Sequence, residues 1–338
     1  MRILFDHSSP FLLAHGGLQV QIEETKHALE KLDVSVEYVR WWDGEQRGDI
    51  IHFFGRPSGI YVDLAHQKNI RVVMAELLTG LGSRSSIAIT AQRQLIRATR
   101  KCIPSALTAK MGWDAYANAD RIIALTDWEA ELMRHVFDAP TEKVMVVPNG
   151  VADEFLKASE PRVDRDAHLV CTATITERKR VFELAQAAGE AQVPIHFVGA
   201  PYSESDSYFL AFRKYVDQHE AFVKYIGAVN DRARLADIYR RARGFVLLSA
   251  KESLSLSALE AAACECPLLL SDLPWARTFF KDNARYCPIA GTARTGKTLR
   301  EFYDTTSHHA PMLPKPLAWA AVAQQLKEIY EDLLRTAR

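Results

Sequence analysis

The chain has 338 residues, and its 42 lysines and arginines are balanced by 42 aspartates and glutamates. That length suggests two domains, and the cancelled charge excludes a global nucleic-acid footprint, though not a local basic face. No window reaches the roughly 18–20 apolar residues that a membrane span needs. The opening MRILFDHSSP is too soon polar for a secretory leader and reads as a first strand. The five cysteines, at 102, 171, 264, 266 and 287, are odd in number and scattered. They point to reduced thiols in a cytosolic protein. Cys264 and Cys266 have the wrong spacing for a zinc knuckle and read as core.

Met1–Asp6 is a predicted strand, Phe11–Gly17 a loop and Leu18–Leu32 a helix. Gly16 and Gly17, directly before that helix, let backbone approach a ligand closely; a plain turn is the alternative. Val34–Val39, Ile50–Phe54 and Arg71–Ala75 read as strands. Glu76 follows the last of these, where a carboxylate serves a polar site or caps the next helix. Residues 77–113 contain Arg84, Arg93, Arg97, Arg100, Lys101 and Lys110 and no acidic residue. Peripheral contact of 84–110 with an anionic membrane or an anionic acceptor is the functional reading; a solvated helix face is the plain one. Ala119–Thr126 reads as a strand, Trp128–Val136 as a helix and Val144–Val147 as a strand. Pro148-Asn149-Gly150-Val151 is a strong turn former.

The charged stretch Lys157–His168 reads as a linker. Its Asp164-Arg165-Asp166 has the form of a metal-holding pair but sits in hydrophilic chain, so it is read as a decoy. Leu169–Thr174 opens a second domain as a strand, and the chain from Thr174 to Ala187 passes into a helix. Pro194–Gly199 and Phe222–Val229 are strands carrying Gly199 and Gly227, and Leu235–Ala242 is a helix. The β-α-β-α order implies parallel sheets with right-handed crossovers.

Residues 245–275 carry the densest signal. Phe245–Leu248 is a strand, Ser249–Ser253 a polar turn and Leu256–Ala263 a helix capped by Ser253 or Ser255. Pro267 ends it, and Leu268–Leu270 is the next strand. Glu252 lies in the loop and Glu260 inside the helix. Helix-mouth N–H groups attract an anion such as a diphosphate. Two carboxylates beside them suit neutral hydroxyls on either side, which is the layout of a sugar nucleotide. Farther on, Gly291 to Thr298 matches the P-loop pattern G-x(4)-G-K-T. A weak strand, Arg285–Ile289, precedes it, but the carboxylate strand and further α/β units of such an ATPase do not follow. His308-His309 reads as polar loop. Residues 316–338 form an amphipathic helix with Trp319, Val322, Leu326, Ile329, Tyr330 and Leu333 on its apolar face.

The stretch KESLSLSALEAAA, followed by CPLLLSD, resembles the E-x(7)-E signature of retaining glycosyltransferases of the GT-B fold, and among them family 4. The resemblance covers essentially the whole chain. It implies an α/β fold of two Rossmann-like domains with parallel sheets facing an interdomain cleft. The domains would be 1–156 on the acceptor side, 168–315 for the nucleotide sugar, and a helix 316–338 crossing back onto the first, with Trp319 and Tyr330 as landmarks. Glu252 would touch the donor sugar and Glu260 the ribose. Lys179 would clamp phosphate, and Thr174 stands where an arginine is expected, so Arg178 or Arg180 would restore that charge. The loop at Gly16 and Gly17 would face the diphosphate, the glycines Gly199 and Gly227 would line the donor site, and the amides of Ser253, Leu254, Ser255 and Leu256 would bind the leaving group. Glu76 stands where the family often has a reacting-centre histidine. A second departure is Ser253-Leu254-Ser255-Leu256 in place of Gly-Phe-Gly-Leu.

The implied reaction is transfer of a hexosyl group from a UDP- or GDP-sugar to a glycan, lipid-linked or small-molecule hydroxyl. It would proceed with retention and without metal or cofactor, in the cytoplasm or on the inner face of the membrane. A P-loop enzyme using 291–298 and an inactive sugar-nucleotide-binding protein are the alternatives.

Overall fold

The computed structural model describes residues 1–8, 10–12, 16–157, 165–306 and 315–336. The chain divides into two compact units, Met1–Asn149 with Trp319–Arg338, and Gly150–Ala318. The division falls inside the Pro148–Val151 turn. Residues 158–164 of the expected linker, Asp164 included, and His308-His309 lie outside the described residues.

Unit 1 runs β1 (Arg2–His7), α1 (Gly17–Glu30), β2 (Ser35–Tyr38), β3 (Ile50–Phe54), α2 (Gly59–Gln67), β4 (Arg71–Ala75), α3 (Ser86–Cys102), α4 (Ser105–Thr108), α5 (Ala115–Asn118), β5 (Arg121–Ala124), α6 (Asp127–Phe137) and β6 (Val144–Val146). Its six strands pair in the order β2-β1-β3-β4-β5-β6, all parallel. All five residues of β3 are buried, as in a strand covered on both faces. Ile3, Phe5, Val72, Val73, Met74 and Ile122 fill the same layer.

Unit 2 runs α7 (Asp153–Leu156), β7 (Leu169–Thr172), α8 (Val181–Glu190), β8 (Ile195–Val198), α9 (Ser207–Gln218), β9 (Val223–Gly227), α10 (Arg232–Arg241), β10 (Gly244–Leu247), α11 (Leu256–Ala263), β11 (Leu268–Ser271), α12 (Pro274–Phe280), β12 (Arg285–Cys287) and α13 (Thr292–Thr305). Its strands are parallel too, in the order β12-β11-β10-β7-β8-β9. The winding reverses between β7 and β10. Ligands of open α/β sheets bind beyond the strand carboxyl ends at such a reversal. Among the described residues, no helix is long and apolar enough to cross a membrane.

One strand is shorter than its sequence pattern suggests. The strand expected at Ala119–Thr126 stops at Ala124, because Thr126 caps α6 by accepting from the Glu129 N–H. The helix expected at Leu256–Ala263 has those bounds, and Glu265 beyond it turns left-handed at φ 56°. All five cysteines are free thiols, and Cys171, Cys264, Cys266 and Cys287 are buried.

The last helix, α14 (Trp319–Arg335), belongs to unit 1. Tyr330 reaches His52 of β3 with its hydroxyl 2.5 Å from Nδ1, and Lys327 donates to the Leu32 carbonyl at 3.1 Å. His52 lies stacked on Phe54 and edge-on to Phe5. Burial pulls its pKa down to about 3. The unfolded chain, with an ordinary histidine, takes up the proton first as pH falls below about 6.5, so stability is lost progressively toward pH 3. Urea unfolding at pH 5 should show about 2 kcal/mol less stability than at pH 7 from this group. His52→Gln should flatten that dependence; an unchanged slope would contradict it.

Candidate active site

The reversal in unit 2 is built from two loops. The first follows β7, passes Thr174 and a 3₁₀ turn at Glu177–Lys179, and enters α8 through Arg180, left-handed at φ 53°. The second follows β10 and leads through Glu252 to α11. Backbone and side chain join them reciprocally: the Ala250 N–H donates to the Arg178 carbonyl at 2.8 Å, and the Arg178 guanidinium donates to the Lys251 carbonyl at 2.9 Å.

Glu252 is buried, at 8% exposure, and Lys179 Nζ donates to its Oε2. Arg178 stands 3.5 Å from the same oxygen. Burial works against ionisation here, yet Lys179, Arg178 and the Ser253 N–H together hold the Glu252 pKa below the ordinary carboxylate value. Arg178 is therefore the second cation at this loop, because the Arg180 guanidinium turns away to the Ala290 carbonyl at 2.8 Å.

Helix α11 begins at Leu256 with Ser255 as its cap, accepting from the Ala258 N–H at 3.4 Å. Ser253, Leu254 and Ser255 are all buried against the loop. The first N–H groups of a helix have no intrahelical acceptor, so this turn presents donors and a partial positive charge. Glu260, farther along the helix, meets a different environment. It accepts from the Tyr239 hydroxyl at 3.1 Å, and that hydroxyl lies 2.5 Å from Thr172 Oγ1 at the end of β7. Burial pushes the Glu260 pKa up to about 7. Neither Tyr239 nor Thr172 was singled out by the sequence. Tyr239 sits in the Arg-rich RARLADIYRR, where nothing but its burial sets it apart.

Gly199 ends β8 at φ 145°, and a Cβ there would lie 1.9 Å from the Ala173 carbonyl oxygen. Only glycine lets β8 end this close to the β7 loop. Gly227 closes β9 at φ 84° with open space around it.

The remaining candidates lie in unit 1. Gly16 caps α1 at φ 148°, a glycine conformation, and Gly17 is the first helical residue. Glu76 follows β4 with both oxygens engaged: Arg56 grips them at 2.8 Å each, and the Tyr116 hydroxyl donates to Oε2. On α3, Arg97 pairs with Asp138 at 2.7 Å and Arg93 stands 4.0 Å from the same carboxylate, while Arg100 donates to the Trp113 carbonyl at 2.9 Å. These arginines bind their own unit, and the exposed side of α3 carries Ile87 and Leu95.

The P-loop motif loses its chemistry. Residues 292–298 of the P-loop pattern are wound into α13, so no loop exists there to wrap a phosphate. Gly296 is needed for packing, since a Cβ would stand 3.1 Å from the Ala187 carbonyl oxygen. The Thr298 hydroxyl donates back to Arg294, and Lys297 is exposed. The P-loop alternative is thereby corrected. In the expected linker, Arg165 donates to the Arg240, Ala242 and Glu265 carbonyls at 3.1, 2.9 and 2.7 Å, and Asp166 stands 3.5 Å from Arg241. These two residues fasten the chain to the end of α10.

Residues 17–150 match the family described as "Glycosyl transferase 4-like domain", and residues 152–292 match "Glycosyl transferases group 1". A D-inositol 3-phosphate glycosyltransferase 2 from Catenulispora acidiphila is 28% identical over 254 residues, which is 65% of this chain and 58% of the relative. A D-inositol 3-phosphate glycosyltransferase from Frankia alni is 28% identical over 216 residues, 55% of this chain and 51% of the relative. The chain thus spans little more than half the length of these curated relatives. Among solved structures, Anabaena Alr3699/HepE in complex with UDP superposes with a TM-score of 0.70 at 14% identity, covering 98% of this chain and 100% of that one. Sucrose-phosphate synthase from Thermosynechococcus elongatus gives 0.72 at 16% identity, with 99% of each chain covered. With one family profile on each unit and this fold shared along both, the chain belongs to the family 4-like glycosyltransferases of the GT-B fold.

Proposed function

We propose that the protein transfers a glycosyl group from a nucleotide diphosphate sugar to a hydroxyl acceptor, with retention at the anomeric carbon and without a metal ion. The observation that carries this reading is the convergence of Lys179, Arg178 and Glu252 where the unit 2 sheet reverses, beside the mouth of α11. The names of the matched relatives support glycosyl transfer, and the UDP and UDP-glucose complexes of the Anabaena neighbour make a UDP-sugar the first donor to test.

In this reading the diphosphate competes with Glu252 for Lys179. As the anomeric C–O bond breaks, negative charge grows on the leaving diphosphate. The Lys179 ammonium and the helix-mouth amides of Leu254 to Leu256 stabilise the charge of the transition state more than that of the ground state. Glu252, released from Lys179, accepts hydrogen bonds from the sugar hydroxyls. The Tyr239 hydroxyl holds Glu260 Oε2 and leaves Oε1 for the ribose hydroxyls. Glu76, with both oxygens held by Arg56 and Tyr116, enters as a group that orders the edge of the unit 1 sheet, not as a base.

Native-state ligand binding raises the melting temperature. A thermal-shift panel of UDP-, GDP- and ADP-sugars should therefore find at least one stabilising donor. Lys179→Ala should remove that shift, and Lys297→Ala should keep it; the reverse pattern would sink the donor site. Transfer should fall about 10²–10³-fold in Lys179→Ala, the usual loss for a group that stabilises a leaving charge. Adding EDTA should leave the rate unchanged.

A pH series tests Glu260. The ionised carboxylate is the stronger acceptor for ribose hydroxyls. With a pKa of about 7, its ionised fraction rises about tenfold between pH 6 and 8, and apparent donor affinity should rise with it. Calorimetric titration at the two pH values reads this directly, and Glu260→Gln should abolish the difference.

A further inference from the structure

The loop after β2 holds a feature that the donor site leaves unused. Trp41 and Trp42 are 77% and 83% exposed, although tryptophan is a residue that folding ordinarily keeps mostly covered. They occupy the two central positions of a tight turn, closed by the Asp43 N–H donating to the Arg40 carbonyl at 3.0 Å.

That turn is locked from below. The Arg40 guanidinium donates to Asp43 Oδ2 at 3.0 and 2.7 Å and to Glu37 Oε2 at 2.7 Å. The Gln46 side chain accepts from the Arg40 N–H at 2.9 Å and donates to the Tyr38 carbonyl at 3.0 Å. The backbone beneath both indoles is therefore fixed before any ligand arrives. Little ordering entropy remains to be lost on binding, and each indole has only two side-chain torsions to settle.

The turn follows the edge strand of the unit 1 sheet, one strand away from the reversal of winding between β1 and β3. Strand β2 neighbours β1, whose following segment leads to Gly16 and Gly17, and both open on the carboxyl edge of the parallel sheet. Between the two loops His7 stacks on Phe11 at 4.5 Å, and Tyr38 meets both edge-on at 6.4 and 6.2 Å. These three rings join the end of β1 and the segment after it to the end of β2, the strand that leads into the turn.

The chemistry of the surroundings selects the ligand. The face of an indole carries negative charge density. One face of a pyranose presents C–H groups polarised by neighbouring oxygens, and its rim presents hydroxyls. The first stacks on the indole, and the second donates to carboxylates. Residues 37–47 hold Glu37, Asp43 and Glu45 against Arg40 and Arg47, a net negative charge, and both arginines are paired, Arg47 with Glu45 at 3.1 Å. An anionic lipid surface calls for unpaired cations around the aromatics, and this turn supplies none.

We propose that the Trp41–Trp42 turn is a stacking platform for a neutral pyranose, a saccharide subsite of unit 1 separate from the donor residues of unit 2. Its role as an acceptor subsite rests on the transfer reading above; its binding of saccharide does not.

The test uses the full chain, labelled and applied to an oligosaccharide array, with UDP-, GDP- and ADP-glucose thermal shifts in parallel. Wild-type protein should bind neutral glycans on the array. Trp41→Ala and Trp42→Ala should each weaken that binding at least about tenfold, as truncation of an aromatic anchor does. Trp41→Phe and Trp42→Phe should keep most of it, and all four variants should melt, and respond to nucleotide sugars, as wild type does. Absence of wild-type glycan binding, or equal binding by the alanine variants, would overturn the proposal. So would capture by phosphatidylcholine–phosphatidylglycerol vesicles that the alanine variants lose, which would reassign the turn to a membrane. A wild-type protein that binds glycans but shows no nucleotide-sugar shift would sink the donor reading and leave the platform standing.

Discussion

A buried carboxylate beside two cations organises unit 2. An isolated charge inside a protein costs several kcal/mol, and Glu252 is nearly covered. Lys179, Arg178 and the Ser253 N–H offset that cost. The same contacts tie the loop after β7 to the loop after β10, so charge neutrality and loop geometry are one constraint. The left-handed Arg180 fits this account. It stops the 3₁₀ turn at Lys179 and starts α8 in a new direction, a conformation that costs a non-glycine residue about 1 kcal/mol or more. The contacts of Lys179 and the anchoring of Arg180 on Ala290 hold it there.

The two glutamates of the motif share a side chain and little else. Glu252 has cations on it and is held ionised; Glu260 has a tyrosine hydroxyl and titrates near 7. One neutral donor and the charge of Arg232 do not match the cost of burial at Glu260 as the cations on Glu252 do. An ionised Glu260 is therefore short of hydrogen bonds in the folded chain, and neutral hydroxyls would satisfy it without bringing a countercharge. Glu252 is the opposite case. It becomes available to a ligand only when something else takes Lys179, which links its engagement to the arrival of an anion. Environment alone separates the two carboxylates, one held ionised by cations and one pushed by burial toward its neutral form.

The parts of the fold that read directly from the sequence are those set by local chemistry. Strands β3 and β4 and helix α11 begin and end where their residues say, because each is a buried run between turn formers or an Ala- and Leu-rich run behind a serine cap. What was hidden depends on contacts between elements. Tyr239 and Glu260 are joined across α10 and α11, and no spacing announces it. The basic face of α3 looked like a surface for anions, yet Arg93 and Arg97 turn to Asp138, which lies forty-odd residues away in the chain and beyond any local pattern. The P-loop letters failed for the converse reason. A motif read as letters has no backbone, and here the backbone continues as helix through Gly296 and Lys297.

The substitution of serine for glycine between the motif's two glutamates shows how such a departure can be neutral to the backbone and still matter. Ser255 sits at φ −71° and ψ 120°, a conformation open to any residue, so glycine is not required there. Its hydroxyl is instead spent on capping, taking the Ala258 N–H, a role worth about 1 kcal/mol to a helix. Glycine would leave that N–H to solvent or ligand. The serine thus rigidifies the mouth of α11, and the added Cβ and Oγ atoms fill room that glycine would leave open. At Ser255 the capping hydroxyl and the added bulk belong to one side chain, so replacing it by glycine would loosen the start of α11 and open space beside it at once.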